Sequence, residues 1–230
     1  FVNTCYPEFL YMDRNRYTFW PIAQDTFFAS FMGVRYLISE KPDLDDTKYK
    51  YLRQFGQFFL YKNVKEADIA RFYENTVSEE SLRKLCTGKK RKKNRERILE
   101  NYLVTEDGAD ISDLSELTEI PEAQKKSAVT LDAAEKDSHL TGSVSAQADG
   151  YVMCMIPWEK GWTVTVDGEK VQTQKGDLGF LAFQVDKGEH QLELTYQVPG
   201  LKAGMAAGAV CWFIYISICF YQSRKKKRNL

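Results

Sequence analysis

The sequence predicts an α+β protein with three parts: a mixed N-terminal segment, an antiparallel β-sandwich and one C-terminal transmembrane helix. Three observations predict it. Residues 127–196 alternate apolar and polar side chains between glycine-containing turns, which is typical of antiparallel strands. Residues 203–221 carry no charge, and a helix of that length can cross a bilayer. Residues 25–103 mix short apolar runs with helix-start signals, which favours strands and helices together.

Residues 1–75 are expected to form a mixed α/β extracytoplasmic segment. Asp25 is placed to cap a helix that runs to Phe31, and residues 34–39 are predicted to be a buried strand ended by a Lys-Pro pair. Two further strands are predicted on either side of a glycine, at residues 49–54 and 58–62.

Residues 76–122 are expected to be a helical insert or linker that is basic at first and then acidic. Ser78 is followed by two glutamates, and a serine with acids in the next turn is a helix start. A second helix is predicted over residues 90–103. The acidic, turn-rich composition of residues 105–122 is typical of a linker.

Residues 123–199 are predicted to form the β-sandwich from six short strands. The strands are residues 129–131, 140–146, 151–156, 162–166, 178–185 and 191–196. Glycine-containing pairs separate the strands at residues 149–150, 167–168, 176–177 and 187–188. Glycine accepts the positive φ of tight turns, so the two Asp-Gly pairs, residues 149–150 and 167–168, predict hairpins.

Residues 200–222 are predicted to be a transmembrane helix and residues 223–230 a cytoplasmic tail. The uncharged run extends over roughly 28 Å at about 1.5 Å per residue, close to the hydrocarbon thickness. The tail holds five cations, Arg224, Lys225, Lys226, Lys227 and Arg228. The positive-inside rule keeps them in the cytoplasm and residues 1–199 outside. A buried core helix and a tail-anchored protein of opposite orientation are the alternatives, and the length and the charge rule disfavour them.

Export of the N-terminal part needs a signal, and residues 1–30 show no signal-peptide pattern. The chain is therefore expected to be the C-terminal piece of a longer membrane protein. Gly200, Gly204 and Gly208 recur every four residues, a spacing that lets helices pack closely in lipid. We expect upstream transmembrane helices of the same parent as partners; a lone anchor that contains glycine is the alternative.

Charge is divided unevenly along the chain. Six of the 32 basic residues and none of the 32 acidic ones lie in residues 201–230, so residues 1–200 carry a net charge of −6. An acidic region is a poor binder of polyanions, so nucleic acid is not an expected partner. The five cysteines and the isolated His139 and His190 show no metal-site spacing. No metal or cofactor is expected in this chain.

One dense basic cluster interrupts the acidic part, and it consists of Lys89, Lys90, Arg91, Lys92 and Lys93. Neighbouring cations are candidates for binding phosphate or lipid headgroups. The alternative is a solvated helix or loop face.

Trp158 and Trp162 flank a glycine on a predicted sandwich loop. Both are candidate glycan-binding residues because aromatic rings can stack on sugar rings; the alternative is that they belong to the core. The acids of residues 43–46 could hold a divalent metal or belong to an ordinary surface loop. No motif identifies a catalytic residue.

Three segments resemble the C-terminal part of the bacterial YfhO family of membrane proteins. Residues 32–39 are similar to the family's "LGVKYxIS", and residues 58–63 with 76–80 to its "xxLYKN" and "I-S-E-E" stretches. The third segment, residues 156–168, is similar to "PYxxGWxVxVDGK" and continues through residues 179–181, 187–190 and 196–200. Trp158 replaces the usual tyrosine there, and Val198 replaces the usual first proline of "YxPPG".

The resemblance implies a large polytopic glycosyltransferase of the GT-C kind. Such a parent takes sugar from a polyprenyl-phosphate carrier and adds it to lipoteichoic acid or a related cell-surface glycopolymer. Its catalytic acid is expected in an early extracytoplasmic loop outside these residues, so no catalytic residue is carried over. The chain is then a scaffold or acceptor-binding portion. The alternative is a non-enzymatic, membrane-anchored module that binds glycan or assembles with partners.

Overall fold

The structure is a computed structural model that describes residues 10–13, 16–19, 26–64, 69–113, 115, 119–133 and 139–228. Its strands are β1 (Leu10–Asp13), β2 (Arg16–Phe19), β3 (Tyr36–Ser39), β4 (Tyr49–Phe55), β5 (Phe58–Asn63), β6 (Ala70–Tyr73), β7 (Thr76–Ser78), β8 (Leu103–Thr105), β9 (Ala128–Ala133), β10 (His139–Ala146), β11 (Gly150–Pro157), β12 (Trp162–Val166), β13 (Glu169–Val171), β14 (Thr173–Gly176), β15 (Phe180–Val185) and β16 (Gly188–Tyr196). Its helices are α1 (Thr26–Phe31), α2 (Glu79–Leu85), α3 (Arg91–Asn101), α4 (Glu122–Lys126) and α5 (Leu201–Arg228).

Two antiparallel sheets form the predicted sandwich, and the α+β class is confirmed. The outer sheet has the order β13-β12-β16-β10-β9, and the central sheet has the order β14-β15-β11-β6. Alternate side chains of both sheets meet in an apolar core that includes Val144, Val164, Phe183 and Leu194. Three strands of these two sheets, β6, β13 and β14, were not predicted. β6 comes from far upstream and pairs with β11.

One of the two predicted hairpins is wrong. β10 and β11 lie in different sheets, as do β15 and β16, so residues 149–150 and 187–188 cross between the sheets. The turn at Asp167 and Gly168, with φ of 52° and 82°, is the predicted hairpin between β12 and β13. The β14–β15 hairpin also forms, but its left-handed residues are Asp177 and Leu178.

A helical layer covers the second face of the central sheet. α1, α2, α3 and the parallel pair β7–β8 enclose a second core with side chains from β11 and β15. Ser78 caps α2 as predicted, because its Oγ accepts the Ser81 N–H at 3.2 Å. Asp25, the predicted cap of α1, lies outside the described residues. The central sheet is therefore buried on both faces.

A smaller sheet with the order β3-β5-β4 lies outside the sandwich. A strand forms at Tyr36–Ser39, but the prediction that residues 34–39 are buried is wrong. Tyr36 and Ile38 in β3 are 57% and 60% exposed, because nothing in the described chain covers that face of the sheet. The apolar run in the sequence thus marks a surface and not a core.

α5 carries the predicted apolar span. Residues Leu201–Tyr221 have a mean hydropathy of 1.9, and none of that stretch is buried. It is the one helix in the described ranges long and apolar enough to cross a membrane. Four residues separate it from the end of β16, so the sandwich stands directly at the start of the span.

A buried carboxyl ties the β14–β15 turn to β8. The N–H of Asp177 donates to the Val104 carbonyl at 2.7 Å, and its Oδ1 accepts the Val104 N–H at 2.9 Å. Asp177 is fully buried. Burial raises the pKa of this carboxyl from its usual 3.8 to about 7.

The raised pKa predicts that the protein loses stability as the pH rises. The unfolded chain releases the Asp177 proton near pH 3.8 and the folded chain near pH 7, so the free energy of unfolding falls across that window and stays low above it. Asp177→Asn, which stays neutral and keeps an oxygen for Val104, should lack this component, a difference of roughly 1–3 kcal/mol. Chemical denaturation of wild type and variant at about pH 5 and about pH 8 measures it. An equal pH dependence in both proteins would contradict the assignment.

Candidate functional site

The strand directions give the sandwich two unlike ends. β16 runs from Gly188 to Tyr196, and α5 begins at Leu201, so we call the Tyr196 end the helix end. Trp162 pairs with Tyr196 there. The opposite end, which we call the far end, carries the turn at residues 167–168 and the crossing at residues 186–188. The eight residue steps of β16 separate the two ends by roughly 27 Å.

A cleft of about 720 Å³ opens at the far end. It lies where the chain passes from β13 in the outer sheet to β14 in the central sheet. Polar and charged side chains dominate its lining, which comprises Tyr151, Asp167, Glu169, Gln172, Gln174, Gln184, Asp186 and His190 together with Val166, Val171 and Val185. We call it the far-end cleft.

Strand alternation brings three amides to this cleft. Gln172 and Gln174 are two positions apart in the crossing segment, so they share a side of the chain. Gln184 is the one exposed position of the otherwise buried β15, and it pairs with Tyr151 of β11. The Gln184 amide therefore stands on a strand whose other side chains are buried, whereas Gln172 precedes β14 and Gln174 lies within it.

An imidazole and a carboxylate form the rim of the far-end cleft. His190 Nδ1 lies 2.7 Å from Asp167 Oδ2, and its Nε2 lies 3.1 Å from the Asp186 carbonyl oxygen. Because both ring nitrogens face oxygen acceptors, the contact with Asp167 raises the pKa of His190. The pKa of Asp167 is lowered, first by the backbone N–H of Gln191 and then by His190.

The lining suits a ligand rich in hydroxyl groups. A primary amide offers two donors and a carbonyl acceptor, whereas carboxylates accept and a phenol does both. The acids make the cleft negative, which disfavours phosphate. Within the described ranges, no group of three His, Cys, Asp or Glu side chains is placed to hold a metal. The Asp45 carboxylate of the candidate metal loop instead accepts from Thr47 and pairs with Lys48 at 3.4 Å.

The two predicted glycan-binding tryptophans both pack against the sandwich core. Trp158 also lines a second cleft of about 520 Å³, which shares Gln174 with the far-end cleft, and the Lys175 Nζ lies 5.1 Å from its ring centroid. Trp162 packs against the sandwich core, and its ring centroid lies 5.1 Å from that of Tyr196. Neither residue lines the far-end cleft. A glycan contact for either stays a prediction.

The predicted basic cluster is exposed on the helical layer. Lys89 and Lys90 lie in a 3₁₀ turn, and α3 begins with the remaining three cations. Lys92 pairs with Glu96 at 3.9 Å. Arg95, in the same basic run, is only 1% exposed and does not extend the surface. Binding of phosphate or headgroups by the cluster stays a prediction.

The predicted packing glycines do not share one role in the backbone. A Cβ on Gly204 or Gly208 would meet open space, so both leave room for a neighbouring helix. Gly200 precedes α5 with a φ of 79°, and its carbonyl accepts the Gly204 N–H at 2.8 Å. Packing against another span stays a prediction. Of the tail cations, Arg224 is exposed, and the side chains of residues 225–228 lie outside the description.

Sequence reasoning missed the amides of the far-end cleft. Residues 169–177 were assigned to a connection between strands, although Val171, Gln172, Thr173 and Gln174 alternate apolar and polar side chains. That alternation was the available signal. His190 was noted only as an isolated histidine, because its partner Asp167 is distant in sequence.

Comparison with known proteins finds that part of this chain is similar to a family of membrane proteins. Residues 112–207 match the family described as "Bacterial membrane protein YfhO". The chain is 33% identical over 93 residues to "Uncharacterized protein YfhO" of Bacillus subtilis (strain 168), an alignment that covers 40% of this chain and 10% of that protein. The matched part is thus about a tenth of the relative's length. No solved structure matches. The family and α5 together indicate a membrane location.

The rim geometry predicts the titration of His190. Asp167→Asn removes the negative partner, so the raised pKa of His190 should fall toward its usual 6.5. Histidine-selective NMR titration of the full chain would record it. An unaltered His190 curve would assign the shift to the Asp186 carbonyl.

Proposed function

We propose, from the match of residues 112–207 to the YfhO family of bacterial membrane proteins, that this chain is the C-terminal ectodomain and last span of a glycosyltransferase-like parent. In this proposal the polytopic parent transfers sugar from a polyprenyl-phosphate carrier to a cell-surface polymer such as lipoteichoic acid. Residues 1–199 are extracytoplasmic and the C-terminus is cytoplasmic. The chain itself contributes acceptor binding at the far-end cleft.

The far-end cleft is the observation that carries this proposal. Its three glutamines, one tyrosine and three carboxylates can donate to and accept from the hydroxyl groups of a glycan or polyol. They stand on strands and tight turns of a packed sandwich, which holds a binding constellation better than a loop does. The negative rim selects the hydroxyl-bearing units of an anionic polymer over its phosphates.

The short junction between β16 and α5 sets the distance of the far-end cleft from the start of the candidate span. Only residues 197–200 separate strand from helix, and the cleft lies roughly 27 Å along β16 from the helix end. A polymer held there has its bound units far from chemistry at the membrane. The cleft therefore serves to retain and orient an acceptor, and it does not touch the reacting bond.

Binding measurements on the full chain in detergent test the proposal. Purified lipoteichoic acid is the probe, and Gln172→Ala with Gln184→Ala is the cleft variant, because both amides line the far-end cleft and not the Trp158 cleft. Loss of two amides that bind hydroxyls should weaken binding roughly tenfold or more. Gln147→Ala removes an exposed amide outside the cleft lining and is the matched control. Equal affinity of wild type and cleft variant would refute acceptor binding at this site.

Kinetics of the full-length parent separate the transferase from its alternative. A cleft that only retains the acceptor predicts a raised KM for acceptor with an unchanged kcat in the cleft variant. Polymer binding without any sugar transfer by the parent would favour the non-enzymatic glycan-binding module. Transfer with an unchanged KM would remove the cleft from the reaction.

A further inference from the structure

The small sheet β3-β5-β4 has two faces that differ in composition. Residues opposite each other in neighbouring strands share a face. Tyr36 and Lys50 both lie opposite Lys62, while Ile38 and Arg53 both lie opposite Leu60. Phe55 lies opposite Phe58 on the same side. We call this side the basic-aromatic face; its members are Tyr36, Ile38, Lys50, Arg53, Phe55, Phe58, Leu60 and Lys62.

The chain itself covers part of the other face, where Tyr49 and Tyr61 are buried and Tyr51 is 52% exposed. Tyr61 points to that side and is 2% exposed. Its hydroxyl donates to the Lys41 carbonyl at 3.2 Å and also contacts the Pro42 carbonyl. The loop of residues 40–48 therefore lies over this face, and it carries the acids of the β3–β4 connection. Among the described residues, none covers the basic-aromatic face, and the face itself holds no carboxylate.

The basic-aromatic face combines exposed apolar side chains with positive charge. Tyr36, Ile38 and Phe55 are 57%, 60% and 42% exposed. The three strands contain no Asp or Glu, although residues 1–200 as a whole are acidic. Lys50 and Lys62 sit directly opposite each other in the ladder. Like charges in that position are unfavourable, and an anionic partner relieves the repulsion.

Packing through α1 places this sheet beside the helix end of the sandwich. The Asn63 side chain donates to the Ser30 Oγ at 3.0 Å. Phe31 of α1 meets Phe180 with ring centroids 6.3 Å apart. Phe180 pairs with Pro157, the residue of β11 nearest the helix end. The sheet is thus fastened on the side of the ectodomain from which the candidate span begins.

We propose that the basic-aromatic face binds the surface of an anionic lipid bilayer. Tyrosine and phenylalanine rings enter the interfacial region, and lysine and arginine side chains meet lipid phosphates. A cation-bearing face with interspersed apolar side chains suits this environment, in which each side chain keeps one end apolar and one end wet. Together with α5, the contact gives the ectodomain a second attachment and a fixed tilt. This inference is independent of the glycan proposal.

Site-specific photocrosslinking tests the contact in the intact chain. A photoreactive benzoylphenylalanine replaces Ile38, and the full chain is placed in nanodiscs of phosphatidylcholine with or without phosphatidylglycerol. Each cation near an anionic surface contributes about fivefold, so anionic lipid should raise the yield of lipid adducts at least roughly tenfold. Mass spectrometry counts the adducts. The same probe at Lys170, at the far end, should give none.

Two charge variants test whether the cations of the basic-aromatic face cause the lipid contact. Lys50→Gln with Arg53→Gln and Lys62→Gln should return the yield in anionic nanodiscs to the phosphatidylcholine level. Lys89→Gln with Lys90→Gln and Lys93→Gln removes the same charge from the basic cluster and should leave the yield unchanged. All these side chains are exposed, so both variants should unfold at the wild-type temperature.

Several outcomes would overturn the proposal. They are an absence of lipid adducts at position 38, a yield independent of phosphatidylglycerol, and a yield that the first charge variant leaves intact. Crosslinking of position 38 in cells to a wall polymer, to another protein or to a second copy of the chain, in place of lipid, would assign the face to that partner.

Discussion

Burial of the central sheet on both faces is the constraint on which the rest of this structure depends. In β15, Leu181 and Phe183 enter the core of the sandwich, whereas Phe180 and Ala182 enter the core beneath the helical layer. Removal of either covering layer from such a sheet would expose a complete apolar face. The outer sheet and the helical layer therefore hold each other in place through it. The unpredicted strand β6 extends this sheet and carries the N-terminal half into the same body.

Two-sided burial also explains where polar chemistry can occur. The faces of the central sheet are closed, so polar groups can gather only at its edges and ends. The far-end cleft occupies the position where β13 leaves one sheet and β14 joins the other. Asp177 secures the opposite end of β14 by two hydrogen bonds to Val104, and its raised pKa is the cost of placing a carboxyl between two cores. The amides of the cleft thus inherit their positions from the packing around them.

The helix end and the far end divide the proposed functions between them. At the helix end, Gly161 lies so close to Tyr196 and Gln197 that a Cβ would meet the Gln197 carbonyl at 2.4 Å, which makes the junction with α5 compact. Trp162 packs at a tilt of 51° against Tyr196, whose hydroxyl donates to Glu159 at 2.5 Å. A rigid junction and a lipid-bound small sheet would both restrict tilting of the sandwich. A polymer held in the far-end cleft would then keep a defined direction relative to the membrane.

The sequence by itself determined the α+β class, the apolar span, the capped start of α2 and the turn at Asp167 and Gly168, because these depend on local composition and on the backbone freedom of single residues. It also carried the family resemblance. Only the tertiary structure decided the sheet membership of β6, the crossing that replaced a predicted hairpin, and the exposure of β3. It alone joined His190 to Asp167 and brought the glutamines into one cleft. Those outcomes depend on which distant strands pair and which faces are covered, and a period-two pattern shows that a strand has two sides without showing what covers each side.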